Sequence, residues 1–242
     1  MWTGICGVEL VSMMKVSRIL PFTSGVDDWR VLLANPAKHW QRGFSARTLA
    51  HCWESSEEMP PEIVRLFAQS SDTLVANLQP IFAIPEFKVA LPGGKTDSQN
   101  DIFVLARSMA GPVCIMVEGK VKESFGPMLK DWQENASMGK KKRLQFLLDS
   151  LGLDSLPTDE VRYQLFHRAV SAILMAQQFR AVAAVLLIHS FSQEFACWPD
   201  YKKFVSLFGV EAVVGSLQRL SSSSSMPLFG AWVVGNPMFL DC

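Results

Sequence analysis

Three short apolar runs between residues 80 and 120 constrain the fold more than any other part of the sequence. They are broken by Gly, Pro and Asn, and they predict strands at about residues 82–91, 101–107 and 113–120. A fourth run, residues 183–191, is apolar and partly β-branched and predicts a buried strand. Helical patterns precede the three runs and separate them from the fourth. This order predicts an α/β fold with a small mixed central sheet flanked by helices.

The same pattern sets the expected domain organisation. Residues 1–220 are predicted to form a single domain, with a helical N-terminal part at 1–79, the core sheet and helices at 80–191, and C-terminal helices at 192–220. Two of these last helices are expected at residues 201–208 and 211–220. The serine run 221–225 is predicted to be a flexible linker, and the apolar tail 226–242 is expected to pack back on the domain.

Composition limits the partners and the compartment. Lys plus Arg and Asp plus Glu both number 23, so no overall positive field attracts nucleic acid, and any such contact needs a local patch. The five cysteines are scattered without a metal-binding spacing, which is typical of reduced thiols in a cytoplasmic protein. The first residues include Glu9 and lack a basic leader, so no signal peptide is expected, and Met13 or Met14 is left open as the natural start. The apolar stretch 181–188 is too short to cross a membrane.

An acid and a lysine are expected to share one face of the third strand. Side chains alternate across a strand, so Glu118 and Lys120 point to the same side. A hairpin that pairs Arg107 with Pro112 or with the next residue places Asp101 opposite Glu118 or its neighbour. Two facing carboxylates repel each other unless one is protonated or a cation lies between them. This arrangement favours a site for a hard divalent cation, Mg²⁺ or Mn²⁺.

The acid-x-Lys spacing alone is weak, because it occurs three times. Asp200 follows a proline at the expected start of a helix, where capping is the simpler explanation for its acid. Glu86 lies on a plausible strand but has no acid one hairpin upstream. Only Glu118 combines a preceding apolar run with a partner acid at the start of the previous strand. An ordinary salt-bridged strand end remains the alternative.

The sequence around these residues resembles the core of the PD-(D/E)XK (restriction-endonuclease-like) nuclease superfamily. The resemblance rests on the segments Leu91-Pro92-Gly93-Gly94, Ser98-Gln99-Asn100-Asp101-Ile102-Phe103-Val104 and Ile115-Met116-Val117-Glu118-Gly119-Lys120. It implies that Asp101 and Glu118 hold Mg²⁺ or Mn²⁺, that the Gly119 carbonyl can join them, and that Lys120 assists the attacking water. The implied function is a metal-dependent phosphodiesterase that hydrolyses nucleic acid, with DNA favoured. The alternative is a non-catalytic binding protein that keeps this fold.

Further residues could complete such a site. The resemblance suggests one more carboxylate from a preceding helix, for which the candidates are Glu54, Glu57, Glu58 and Glu62. Gln99 and Glu123 flank the predicted site and could support it. The densest basic cluster, a candidate for phosphate contact that is equally typical of a solvated helix start, is Lys140, Lys141, Lys142 and Arg143.

Two other polar features have simpler interpretations. On the long helix predicted at residues 160–179, a polar stripe could border the site; it comprises Tyr163, Gln164, His167 and Arg168. His189 lies on the apolar run 183–191, where a hydrogen-bonded core histidine is favoured over a ligand. A membrane partner is not expected, and a homodimer is left open.

Overall fold

The structure, a computed structural model, describes residues 18–21, 23–94, 96–153, 160–220 and 226–242. The predicted serine linker and the alternative start lie outside these residues. In the part of the chain that is described, no helix combines the length and the apolar character needed to cross a membrane.

The chain folds around a six-stranded mixed sheet with the strand order β1-β2-β3-β4-β6-β5. The strands are β1 (Gln79–Val89), β2 (Ser98–Arg107), β3 (Pro112–Lys120), β4 (Ala183–Ser190), β5 (Leu217–Arg219) and β6 (Leu228–Val234). Strands β1, β2 and β3 form an antiparallel meander, β3, β4 and β6 run parallel, and β5 is antiparallel to β6. A parallel connection needs a long crossover, and α-helices supply it between β3 and β4.

The described helices lie before, between and after these strands. They are α1 (Asp27–Arg30), α2 (Pro36–His39), α3 (Ser45–Glu54), α4 (Pro61–Ala68), α5 (Leu129–Gln133), α6 (Met138–Leu151), α7 (Tyr163–Gln178), α8 (Trp198–Ser206) and a short 3-10 helix (Pro237–Asp241).

Both faces of the sheet are buried, and strand alternation divides the core in two. Cys114 and Met116 of β3 belong to the core that contains α6 and α7. Val113, Ile115 and Val117 face the other way, into the core that contains α3 and α4. A sheet buried on both sides explains why its inner strands are almost continuously apolar. The predicted α/β fold, a small mixed sheet flanked by helices, is confirmed.

The predicted hairpin forms with one of its two expected registers. Arg107 pairs with Pro112, and Ile102 pairs with Val117. The turn closes through a hydrogen bond from the Ser108 amide to the Gly111 carbonyl (2.9 Å). This register fixes which residues meet at the far end of β2 and β3.

The prediction of a helix at residues 211–220 is wrong. That segment contains β5, and Gly215 has a φ of +72°, a left-handed conformation that interrupts any helix. The adjacent Val213 and Val214 are β-branched and favour extended backbone. Residues 226–242 are expected to be a tail that packs on the domain. Instead, residues 228–234 form strand β6 of the central sheet, between β4 and β5.

Candidate active site

Asp101 and Glu118 meet at one end of the β2–β3 ladder. The paired residues at this end of the ladder are Ile102 and Val117, and the next position along both strands places Asp101 across from Glu118. Lys120 lies two residues beyond Glu118, and its Nζ is 2.6 Å from Glu118 Oε1. The acid and the lysine therefore share one face of β3, as the alternation of the strand predicts.

A third carboxylate, that of Glu86, extends this arrangement onto β1. The residues on either side of Glu86 pair with the residues on either side of Asp101, so the two acids lie across from each other. Glu86 has a φ of +53°, a left-handed conformation that is costly for a residue with a side chain. We call Glu86, Asp101 and Glu118 the acid row. It crosses three adjacent strands.

Glu118 is buried, with 2% of its surface exposed, but is fully engaged by polar partners. Its Oε1 accepts hydrogen bonds from Lys120 Nζ (2.6 Å) and Gln164 Nε2 (2.8 Å), and its Oε2 accepts one from Arg168 Nε (2.5 Å). Burial alone would raise the pKa of Glu118, but the charges and hydrogen bonds of Arg168 and Lys120 bring the pKa down to about 2. Glu118 is thus an anion at neutral pH.

The other two acids of the row are compensated less completely. Burial and then the charges of Glu118 and Glu86 raise the pKa of Asp101 well above its ordinary value. Burial raises the pKa of Glu86 to about 7, against a hydrogen bond from Gln99 that lowers it. Asp101 Oδ2 accepts a hydrogen bond from the Gly119 amide (2.7 Å). Two acids whose charged forms are disfavoured thus lie beside a third that is ionised. A cation bound among them would stabilise the charged forms of all three.

The acid row lies in a cleft of about 580 Å³. Helix α7 lines the cleft with Gln164, His167 and Arg168, and Ser124, Gly126 and Pro127 line it too. The segment between α1 and the start of α3 lines the cleft as well, through Leu33, Ala34, Lys38, His39, Phe44, Ser45 and Ala46.

Two of the predicted supporting residues also line this cleft. Gln99 donates a hydrogen bond to Glu86 Oε2. Glu123 instead holds backbone: its Oε1 accepts from the Ser45 amide (2.7 Å) at the start of α3, and its Oε2 accepts from the Val121 amide (3.1 Å). Glu123 therefore fixes a helix start to the strand end beside the acid row.

The predicted helix carboxylates are not brought to the acid row. Glu54 accepts hydrogen bonds from Trp29 Nε1 (2.7 Å) and from Thr23, and it lines a separate pocket together with Glu57 and Glu58. Glu62 contacts His189, which is on the opposite face of the sheet from Glu118. The third acid of the site comes from a strand, in Glu86, rather than from a helix.

The predicted basic cluster is only partly open to solvent. Lys141 and Lys142 are exposed, whereas Lys140 donates to the Trp132 carbonyl (2.9 Å). Arg143 is buried and donates to the carbonyls of Pro92 and Leu91, both at 3.0 Å. The guanidinium of Arg143 is thus committed to the loop after β1.

The glycines of that loop explain this contact. A Cβ added at Gly94 would lie 2.6 Å from Arg143 Nη2, and one added at Gly93 would lie 2.3 Å from the Gly139 carbonyl oxygen. The Gly93-Gly94 pair therefore lets the loop pack closely on α6.

A second polar cluster lies on the other face of the sheet. Cys52, Glu62 and His189 bring their ligand atoms within 4.8 Å of one another, so the cluster could hold a metal ion. Hydrogen bonds already satisfy it, however. His189 Nδ1 accepts from Trp53 Nε1 (3.4 Å), which leaves Nε2 as the donor to Glu62 Oε1 (2.9 Å). The Cys52 thiol donates to the same carboxylate (3.9 Å). His189 is the hydrogen-bonded core histidine that the sequence favoured.

Comparison with known proteins identifies the family. Residues 22–237 match the family model described as "Domain of unknown function (DUF6946)". The chain belongs to the DUF6946 family. No curated protein and no solved structure matches it. The match spans all six strands and the whole acid row, so the candidate site lies within the DUF6946 domain.

Sequence patterns gave only weak indications for three residues of the candidate site, Glu86, Gln164 and Arg168. Glu86 lacked an upstream acid, and only the β1–β2 register shows that its partner is the downstream Asp101. Gln164 and Arg168 belong to the polar stripe of α7, and both bind Glu118. Their separation by four residues, one helical turn, was the available signal.

Proposed function

We propose that this protein is a metal-dependent phosphodiesterase that hydrolyses nucleic acid, with DNA favoured as the substrate. The observation that carries the proposal is the acid row with Lys120 on the same face of the sheet, at the floor of a cleft. The meander β1-β2-β3 followed by the parallel β4 agrees with the element order of the PD-(D/E)XK nucleases that the sequence resembles.

The donor set fits a hard divalent cation. Mg²⁺ and Mn²⁺ prefer carboxylate oxygens, and two acids of the row have raised pKa values, first because burial disfavours their charged forms and second because neighbouring carboxylates repel them. Asp101 and Glu118 are the carboxylates that would hold the ion, with the Gly119 carbonyl beside them. Such an ion, when bound, polarises the phosphate and lowers the pKa of a water molecule.

Lys120 and Arg168 are the two cationic side chains beside the acid row, and they would have different roles in the reaction. Burial lowers the pKa of Lys120, but the charges of Glu118 and Asp101 raise it by more. The net pKa is therefore above the ordinary value of a lysine, and the ammonium keeps its proton. A charged Lys120 orients the attacking water and offsets negative charge on the phosphate, rather than removing a proton. Arg168, anchored on Glu118 and by Nη1 on Ser98 Oγ (3.2 Å), supplies a second fixed positive charge.

The test compares wild type with two site variants and their matched controls. Asp101→Asn and Lys120→Ala should each lower cleavage of oligonucleotides with Mg²⁺ or Mn²⁺ by about 100-fold or more. Binding should largely persist in Lys120→Ala, because the lysine is assigned to the chemical step. Asp131→Asn and Lys202→Ala change exposed residues outside the cleft and should cleave like wild type. Wild type that cuts neither DNA nor RNA would refute the proposal.

A non-catalytic binding protein of the same fold is the second candidate. It is favoured by the way Lys120 and Arg168 already neutralise Glu118 without any added ion. In that case the ion-pair cluster holds α7 to the sheet and the cleft binds a partner. The two candidates differ in whether Mn²⁺ binds at Asp101.

A further inference from the structure

The shape and charge of the cleft point to one substrate class, and this inference rests on the proposed function. We infer that the acid row acts on single-stranded nucleic acid, which enters between α7 and the segment 33–46, and that it disfavours intact duplex.

The first step concerns depth. Glu118 is 2% and Lys120 4% exposed, whereas Asp101 is partly exposed, so a phosphate on the outer surface of the protein could not touch Glu118 or Lys120. It has to enter the cleft to reach them. A flexible single strand can bend a phosphate inwards, whereas a duplex carries a second strand with it.

The second step concerns size. The cleft measures about 580 Å³, which lies within the range of about 300–1,000 Å³ that is typical of small-ligand pockets. A space of this size suits a short stretch of single strand, roughly one or two nucleotides. His167 of α7 and Lys38 and Phe44 of the N-terminal segment all line this space, so a second strand would have to compete with these side chains for room.

The third step concerns charge. Proteins that bind duplex DNA draw a large share of their affinity from phosphate contacts, which can number about 6–10. This chain has a formal net charge of zero, and the densest basic cluster has Arg143 and Lys140 tied to backbone carbonyls. Only Lys141 and Lys142 of that cluster are exposed. This cluster therefore offers few of the phosphate contacts that a rigid double helix needs.

The lining of the cleft offers what a single strand needs. Lys38 and His39 are exposed cleft residues that can meet phosphates, and Phe44 presents a partly exposed ring near the same opening. Lys122 Nζ lies 5.4 Å from the centre of that ring. An aromatic ring beside cations is a combination that binds unpaired bases and their backbone together.

The experiment uses the full chain and a labelled oligonucleotide of about 12 residues, as single-stranded DNA, as single-stranded RNA and as a blunt DNA duplex of the same sequence. Binding is measured by fluorescence anisotropy with Ca²⁺ over a salt series, and cleavage is measured with Mg²⁺ and Mn²⁺. We expect at least one single-stranded form to be bound and cut about 10-fold or more better than the duplex. Lys38→Ala should weaken single-strand binding and flatten its log–log salt dependence by about 0.7. Lys202→Ala, an exposed lysine of α8 outside the cleft, is the matched control and should change neither.

The outcomes separate this inference from the function on which it rests. Cleavage of the duplex at the same rate as the single strands, or faster, overturns the single-strand inference but leaves the phosphodiesterase proposal standing. If Lys38→Ala and Lys202→Ala change single-strand binding equally, the strand does not enter along the segment 33–46. Absence of cleavage on all three substrates refutes the phosphodiesterase proposal itself.

Discussion

Replacing Glu86 by glutamine should stabilise the metal-free protein at alkaline pH. Glutamine has nearly the same shape, and its carbonyl oxygen can still accept the hydrogen bond from Gln99. What it removes is a negative charge, which burial disfavours and the charge of Glu118 disfavours further, and which Gln99, Arg168 and Lys88 only partly offset. Because burial and the neighbouring Glu118 disfavour the charged form of Glu86 in the folded protein, removing that charge should stabilise the fold.

The magnitude follows from the pKa of Glu86, which rises from 4.5 to about 7 in the folded protein. At about 1.4 kcal/mol per pH unit, that rise costs the folded state about 3 kcal/mol once the carboxylate is ionised. Because Glu86 is partly accessible to solvent, which screens its charge, we expect a gain of about 1–3 kcal/mol for Glu86→Gln. For a chain of this length this corresponds to roughly 3–10 °C in Tm.

The gain should depend on pH with a defined sign. Below about pH 4.5 the Glu86 carboxyl is protonated in both the folded and the unfolded chain, so the variant gains nothing. Between pH 4.5 and 7 the unfolded chain ionises first, and the wild type loses stability relative to the variant. Above pH 7 the difference is complete. Thermal melts of both proteins with a metal chelator from pH 4.5 to 8.5 measure it. A variant that is less stable than wild type at pH 8, or a difference that does not change with pH, would refute this account of the acid row.

Three further predictions follow from the same contacts. Mn²⁺ should raise the Tm of wild type, because it binds the folded state, and should raise the Tm of Glu118→Gln by less. Equal shifts in Tm would show that Glu118 does not bind the metal. Arg143→Ala should lower the free energy of unfolding by about 1–3 kcal/mol, because the buried Leu91 carbonyl and the partly buried Pro92 carbonyl lose a charged donor, and a chemical denaturation curve unchanged from wild type would contradict this. Neutralising Lys141 and Lys142 should leave the Tm unchanged while weakening oligonucleotide binding and flattening its salt dependence; an unchanged salt slope would exclude them from the binding surface.

The sheet was largely predictable because its signals are local. Apolar runs ended by turn residues located β1 to β4, and the length of the turn around Gly111 limited the β2–β3 register to two choices. Strand β5 was missed because it is only three residues long and follows a segment whose polar and apolar residues can also suit a helix. Strand β6 was taken for a tail because its place beside β4 depends on a contact far away in the sequence.

The site was predictable only where its residues share one hairpin. Asp101, Glu118 and Lys120 come from β2 and β3, whose register a short turn fixes. The loop between β1 and β2 spans residues 90–97, too long for the sequence to fix a register, so Glu86 could not be placed. Arg168 is 50 residues from Glu118, and its contact with that acid depends on how α7 packs on the sheet.

Binding of Mn²⁺ at Asp101 tests the central claim most directly. Calorimetric titration at pH 8, above the raised pKa of Glu86, should show Mn²⁺ binding to wild type and to the control Asp131→Asn. In Asp101→Asn we expect the affinity to fall about 10-fold or more. Absence of binding to wild type would contradict the account. So would binding that survives Asp101→Asn but is lost in Cys52→Ser, because the metal would then belong to the cluster on the opposite face of the sheet.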